Sequence, residues 1–314
     1  MSRLADISAS PTLREYAQGA AQDAIQPVAD FIAPTIEVPT SVGRFKKYDE
    51  KNRFRIPSTL RSLGGRATEL KFDVTDATYN CEPHALDYPV DNLEQLEAEG
   101  LEDMLREGIT AVSEVAALAH ESTVITKAIE AVGAGTGKTW NSSADPVADV
   151  DAAVLSIIKA ARYGSLMGVG VLFGAGAWSI FKNQANVRGR MIVGGGSAKS
   201  GLGLAVPTEA VAGQLFIGTP EVKTSYMVFD NAAEGITANV DFLLNNTILV
   251  FARKSAPTRR DPSFMKTFRL MNKFMVPGSY MRDDGRVEVA KFDWSEDVQV
   301  TNSAAAIRLN IATS

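Results

Sequence analysis

The stretch that decides the fold runs from residue 91 to 132, DNLEQLEAEGLEDMLREGITAVSEVAALAHESTVITKAIEAV. Leu93, Leu96, Leu101, Leu105, Ile109, Val112, Val115, Ala119, Ile125, Ile129 and Val132 recur at steps of three and four, the period of an amphipathic helix. At about 1.5 Å per residue such a run reaches ~60 Å, and Gly100 and Gly108 leave room for bends. AVGAGTGKTW (131–140) follows and imitates a phosphate-binding loop, but that loop needs Gly, four residues and then Gly-Lys-Ser/Thr, and the first glycine falls on Val132. It also follows a helix instead of a buried strand. The glycines read as a helix stop and surface turn. Asp145-Pro146 then supplies an N-cap and first-turn proline for a second helix to about Arg162, with Val150, Val154, Ile157 and Ile158 inward.

Upstream, RFRI (53–56) and ELKFDV (69–74) alternate polar and apolar around a tip with Pro57, Gly64 and Gly65, a long hairpin that needs something to lie on. Residues 1–43 read as an arm whose later half, PVADFIAPTIEVPTSVG, has three prolines that exclude a long helix. Arm and hairpin hold little core of their own, so neighbouring subunits are expected to order them. Downstream, the uncharged YGSLMGVGVLFGAGAWSIF (163–181) has the length of a membrane span, yet its five glycines and the cluster 169–173 suit a buried strand, a turn and a helix near 175–185. Residues 194–203 form a glycine-rich loop. Strands are expected at 214–217, 222–229, 248–252, 286–292 and 306–312. Strands and helices do not alternate as βαβ units, so the class is α+β.

Composition narrows the function. The chain has 314 residues and a net charge of -5, without the basic excess of a nucleic-acid binder. Cys81 stands alone, which fits an intracellular or virion setting, and MSRLADISAS lacks the apolar run of an export signal. Cys81 and His84 are spaced C-x-x-H, but no second cluster completes a metal site, so Cys81 reads as a small buried residue and His84 as a loop residue. Ser156-Ile-Ile-Lys159 lacks the partner motifs of a serine acylase, and Gly201-Leu-Gly203 lacks a dinucleotide loop's third glycine. No catalytic, cofactor or metal residue is expected; an enzyme is the weaker reading.

The order of arm, basic hairpin, very long helix and α+β region resembles the major capsid proteins of tailed phages, the Hong Kong 97-type fold. ADFIAPTIEVPTSVGRFKKYDEKNRFR (29–55) is similar to that family's passage from arm to extended loop, with Phe31, Ala33-Pro34, Val38, Gly43 and Tyr48 in matching places. GVGVLFGAGAWSIFKNQANVRGR (168–190), AVAGQLFIGTPEVKTSYMVFDNA (210–232) and NNTILVFARKSAPTRRDPSFMKTFRL (245–270) resemble its later strand, helix and loop segments. The resemblance implies an N-terminal arm (1–43), an extended loop (44–90), a peripheral domain with the spine helix (91–164 and 264–314) and an axial domain (165–263). It also implies hexamers and pentamers in an icosahedral shell around double-stranded DNA, assembled in the host cytoplasm and carried in the virion. The short stretch before the hairpin implies a separate scaffolding protein; a portal and decoration proteins are further implied partners. No membrane and no cofactor are involved. An encapsulin-like compartment is the alternative within the fold.

Charge suggests how subunits meet. Residues 44–71 hold nine basic residues, among them Arg44, Lys46, Lys47, Lys51, Arg53, Arg55, Arg61 and Arg66, against three acidic, a net of +6. Residues 91–130 hold ten acidic residues, among them Glu97, Glu99, Glu102 and Asp103, against two basic, a net of -8. The hairpin of one subunit is therefore expected to dock over the acidic helix region of its neighbour.

Overall fold

The computed structural model describes residues 27–47, 59–60, 63–66, 75–91, 101–161, 168–190, 207–232, 237, 239–254, 256–259, 261–273 and 276–312. The helices are α1 (Pro27–Ile32), α2 (Leu101–Val132), α3 (Pro146–Ala161), α4 (Ala175–Asn183), α5 (Ala185–Arg190) and α6 (Glu209–Leu215). The strands are β1 (Thr35–Val38), β2 (Val42–Lys47), β3 (Thr75–Asn80), β4 (Glu82–Asp91), β5 (Thr136–Thr139), β6 (Gly168–Gly174) and β7 (Glu221–Ser225). They continue with β8 (Val228–Asp230), β9 (Val240–Phe242), β10 (Thr247–Arg253), β11 (Met265–Leu270), β12 (Val276–Met281), β13 (Val287–Val300) and β14 (Ala306–Ala312).

Two five-stranded sheets carry the structure. In the first, β13 pairs on one side with β4 and on the other with β12 and then β11, and β1 joins β11 in parallel. In the second, the order is β5-β14-β10-β6-β7. Its middle strand β10, TILVFAR, is buried over six of its seven residues, the continuous apolar run of a strand covered on both faces. The spine helix α2 packs on β4 and β13, and α3 on β10, β14 and β6. β2 pairs with β3, and β8 with β9, as separate two-stranded ribbons.

Several expected boundaries hold at the residue level. Gly133 ends α2 at φ +75°, with its N–H on the Ile129 carbonyl at 3.0 Å. Asp145 caps α3 through Ala148 N–H, and Val150, Val154 and Ile157 are buried beneath it. The 168–183 stretch is the buried strand β6 and then α4, and no described helix is long and apolar enough to cross a membrane.

Other expectations are corrected. Asp91 ends strand β4 and does not open the helix; Pro83 and Pro89 had hidden that strand, whose pairing lies only toward β13. A Cβ on Gly108 would lie 2.4 Å from the Tyr88 ring, so glycine there admits the close approach of β4. Val115 is 56% exposed, and the inward stripe runs instead through Ala116, Ala117, His120 and Glu121. The turn after α2 is confined to 133–135; residues 136–139 are edge strand β5, parallel to β14. Lys138 there is ion-paired with Asp149 at 2.7 Å, and Asp149 also accepts the Trp140 indole N–H, so the lysine is committed to α3. Residues 214–215 finish α6 and are not strand. Residues 136–161 and 306–312 pack with the second sheet. The expected strands 53–56 and 69–74 and the loop 194–203 lie outside the described residues.

The largest correction concerns the arm. Over residues 28–33 it enters the core of its own subunit: Val28, Ala29, Phe31, Ile32 and Ala33 are each at most 7% exposed. The prolines do forbid a long helix, but six residues of helix and four of strand suffice to insert α1 against α2, β6, β7 and β10 and then to extend the first sheet through β1.

The junction of β6 and α4 yields a direct test. No side chain caps α4; the carbonyls of Leu244 and Asn245 accept the N–H groups of Ala175 and Ala177 instead. A Cβ on Gly174 would fall 2.0 Å from the Asn245 oxygen. Gly174→Ala should therefore cost about 1–3 kcal/mol or more, read as a lower urea midpoint with unchanged slope.

Candidate assembly surface

The base of the extended hairpin is β2 against β3, in register from Val42↔Asn80 to Lys47↔Thr75. It is bolted to the first sheet by a small core of Val38, Phe45, Tyr79, Cys81 and Phe268. Tyr79 stacks on Phe268 at 4.6 Å between ring centroids, and Phe45 approaches the same ring at 5.2 Å. Gly43 is required here, because a Cβ would meet the Tyr79 hydroxyl at 2.3 Å. Polar ties complete the joint: Asn80 N–H donates to Asp297 Oδ2 at 2.9 Å, and Ser295 Oγ donates to the Cys81 carbonyl at 3.1 Å. The root is thus ordered within its own subunit, contrary to the expectation for the whole hairpin. At the far end Leu60 and Leu63 are 92% and 103% exposed, beside a left-handed Gly64. A rooted ribbon with two bare leucines at its tip is built to meet another surface.

Of the basic residues expected to dock, Arg44 is an exposed residue of β2 and Arg66 is exposed at the tip. Lys46 and Lys47 are in β2; Lys51, Arg53, Arg55 and Arg61 lie outside the described residues. Glu102 and Asp103 fall within α2; Glu97 and Glu99 lie outside the described residues. Along α2, Glu107, Glu114 and Glu130 are exposed but Glu121 is fully buried, which leaves nine of the ten acidic residues to the docking reading.

Where α2 crosses β13 and β4, a cleft of about 210 Å³ is lined by Glu82, His84, His120, Lys127 and Trp294 among others. At its floor His120 Nδ1 lies 2.9 Å from Glu296 Oε1, and Arg269 holds Glu296 Oε2 at 3.0 Å. Burial pushes the Glu296 carboxyl up, but the hydrogen bond and charge of His120, followed by Arg269, outweigh it and hold the carboxyl at about 2. Glu296 is thus a carboxylate, and His120 Nδ1 is the donor. Each group is spent on another, which makes the trio a lock between α2, β11 and β13. Cys81 and His84 do not converge: three residues apart on extended chain, they face opposite sides. The Cys81 thiol donates to the Phe268 carbonyl, and burial followed by Asp297 and Glu296 pushes it up to about 11; His84, in β4 and not a loop, stacks on Trp294. The His120 trio was missed in the sequence because its three members come from distant elements.

No family model matches the chain. Over 63 residues, a fifth of each chain, it is 35% identical to the major capsid protein of Pseudomonas phage JBD67. In structure it is similar to a phage-related protein of Bordetella bronchiseptica, with 15% identity, 96% of each chain covered and a TM-score of 0.67. The holo-SrpI encapsulin complex of Synechococcus elongatus gives 0.55 at 13% identity, covering 91% of this chain and 88% of that one. The mature capsid of bacteriophage PhiM1 gives 0.53 at 9% identity, covering 90% and 86%. The fold is that of the Hong Kong 97-type capsid proteins, phage shells and encapsulin alike. The likeness in sequence is to a phage major capsid protein, and the solved relatives named for an assembly are structural shell proteins.

The buried trio predicts the acid limb of stability. Glu296 is held below its ordinary 4.5, so its contribution is complete above about pH 4.5 and is lost as pH falls toward 2. Glu296→Gln removes the carboxylate that His120 and Arg269 hold, should cost about 3–5 kcal/mol at neutral pH, and should flatten the stability profile between pH 4.5 and 2 in denaturant titrations.

Proposed function

We propose that this chain is the major capsid protein of a tailed phage, a structural protein without catalytic role that assembles as hexamers and pentamers into an icosahedral shell enclosing double-stranded DNA. The observation that carries the reading is the hairpin: its root is welded to the subunit's own core, and its leucine-tipped end has no cover. On a fold shared with a phage mature capsid over 90% of the chain, the natural cover is the next subunit. Head-to-tail contacts of this kind close into rings when the rotation permits.

In this reading α2 and the first sheet form the peripheral part, α3, α4 and the second sheet the axial part, and 48–74 the overlap between neighbours. The basic hairpin and the acidic N-terminal half of α2, with the segment before it, set approach and register, since opposed fields steer encounter and discriminate alignments. A separate scaffolding protein, a portal and decoration proteins are the expected partners; packaged DNA is held without sequence specificity. The likeness to a holo-encapsulin favours one second reading, a cellular protein-filled compartment. The cargo of particles from producing cells separates the two: nuclease-protected DNA supports the phage shell, and protein alone the compartment.

Deleting residues 57–66 should abolish shells in light scattering while circular dichroism and the unfolding midpoint of the two-sheet body stay unchanged. Arg53→Glu with Arg55→Glu should slow assembly, and Glu99→Lys with Glu102→Lys in the same chain should partly restore it. The restored rate should fall with salt, because screening acts over about 8 Å at physiological ionic strength. Assembly indifferent to both reversals and to salt would leave those charges as solvated faces only.

A further inference from the structure

Glu121 is a charged residue type placed where a core residue belongs. It lies midway along the inward face of α2 with 0% exposure. Its Oε2 accepts the N–H of Ala29 at 3.0 Å, and its Oε1 has no hydrogen-bond partner. Ala29 is the third residue of α1, one of the donors that a helix leaves unsatisfied at its start. Glu121 therefore caps α1 from 92 residues away in sequence. Among the described residues, the neighbouring charged groups offer it no counter-ion. Asp30, on α1, has the same sign; His120, beside it on α2, is committed to Glu296 of β13, which Arg269 of β11 also holds.

We propose that Glu121 is a protonation-controlled latch on α1: uncharged, it keeps α1 seated between the spine helix and the second sheet, and charged, it favours lifting of α1 because water then reaches the carboxylate. An ionised carboxylate with one bare oxygen in a dry site is costly, and opening is the movement that relieves it. Burial pushes the carboxyl to about 7, against the Ala29 N–H and His120, which lower it, while Asp30 adds to the rise. Since the folded value lies above the ordinary 4.5, the stabilisation is complete below about pH 4.5 and is lost as pH rises through about 7. Between about pH 4.5 and 7 the opening equilibrium of α1 grows up to about tenfold per pH unit, and above 7 it levels off because the carboxyl is then ionised in both states. Because α1 touches both α2 and the second sheet, the loosening falls on the seam between the two layers.

Hydrogen exchange of the full chain, corrected for the intrinsic pH dependence of amide exchange, tests this. Between pH 4.5 and 7.5, peptides from 27–38 should lose about 100-fold in protection, while those from α3 hold theirs. Glu121→Gln, neutral at every pH, should keep α1 protected throughout, and Asp30→Asn, which lowers the closed-state value, should bring the levelling-off to lower pH. Equal corrected protection at pH 4.5 and 7.5 in the wild type, or the same loss in Glu121→Gln, would overturn the latch. Should the Gln variant not fold, an unmoved levelling-off in Asp30→Asn would overturn it instead.

Discussion

The insertion of Phe31 between the two layers is the contact on which the rest depends. Its ring meets Phe251 edge-on at 5.2 Å, with the Arg253 guanidinium 4.6 Å and the Lys223 ammonium 5.2 Å from its centroid. Burying such a ring is worth about 1.5–3 kcal/mol, and a partly desolvated cation over it ~0.5–2 kcal/mol more. Gly170 makes the space, since a Cβ there would lie 2.9 Å from both phenylalanine rings. Two residues on, the chain leaves α1 through Ala33 and Pro34, whose carbonyls accept the Thr267 hydroxyl and N–H, and continues as β1 on the first sheet. Twelve residues, Pro27–Val38, thus join the spine helix, the second sheet and the first sheet.

That seam gives the hairpin a firm base. A two-stranded ribbon is marginal in water, so β2 and β3 hold their shape because Phe45, Tyr79 and Cys81 are sunk against Phe268 of β11, the strand that β1 also extends. The buried polar groups lie along the same line: Glu296 ties α2 to β11 and β13, and Glu121 ties α2 to α1. Apolar packing supplies the adhesion, and these two carboxyl groups specify which surfaces face one another.

Features governed by local chemistry were legible in the sequence. The glycine stop at Gly133, the Asp145-Pro146 start, the buried run at 168–174 and strand β14 depend on dihedrals, caps and periodicity over a few residues. Features governed by distant partners were not. PVADFI carries a proline and an aspartate and reads as part of an arm laid on a neighbouring subunit, until α2 and the second sheet close over it. EPHALDYPVD reads as loop, since only its pairing with β13 makes it a strand. Glu121 looks like one more charge on a solvated helix face, because nothing local reveals that the N-terminus of α1 lies above it. Of the candidate docking residues, sequence revealed the opposed charge of the two segments, while the exposure of Arg44 and Arg66 and the burial of Glu121 required the fold.

The account's central claim is that the exposed half of the hairpin is completed by a second copy of the chain. Cryo-electron microscopy of particles assembled from the full-length protein tests it most directly. The account predicts closed shells in which density for Leu60 and Leu63 lies on the neighbouring subunit, toward the acidic end of α2. Leucines folded back on their own subunit, or a protein that stays monomeric at high concentration with a scaffolding partner supplied, would contradict it.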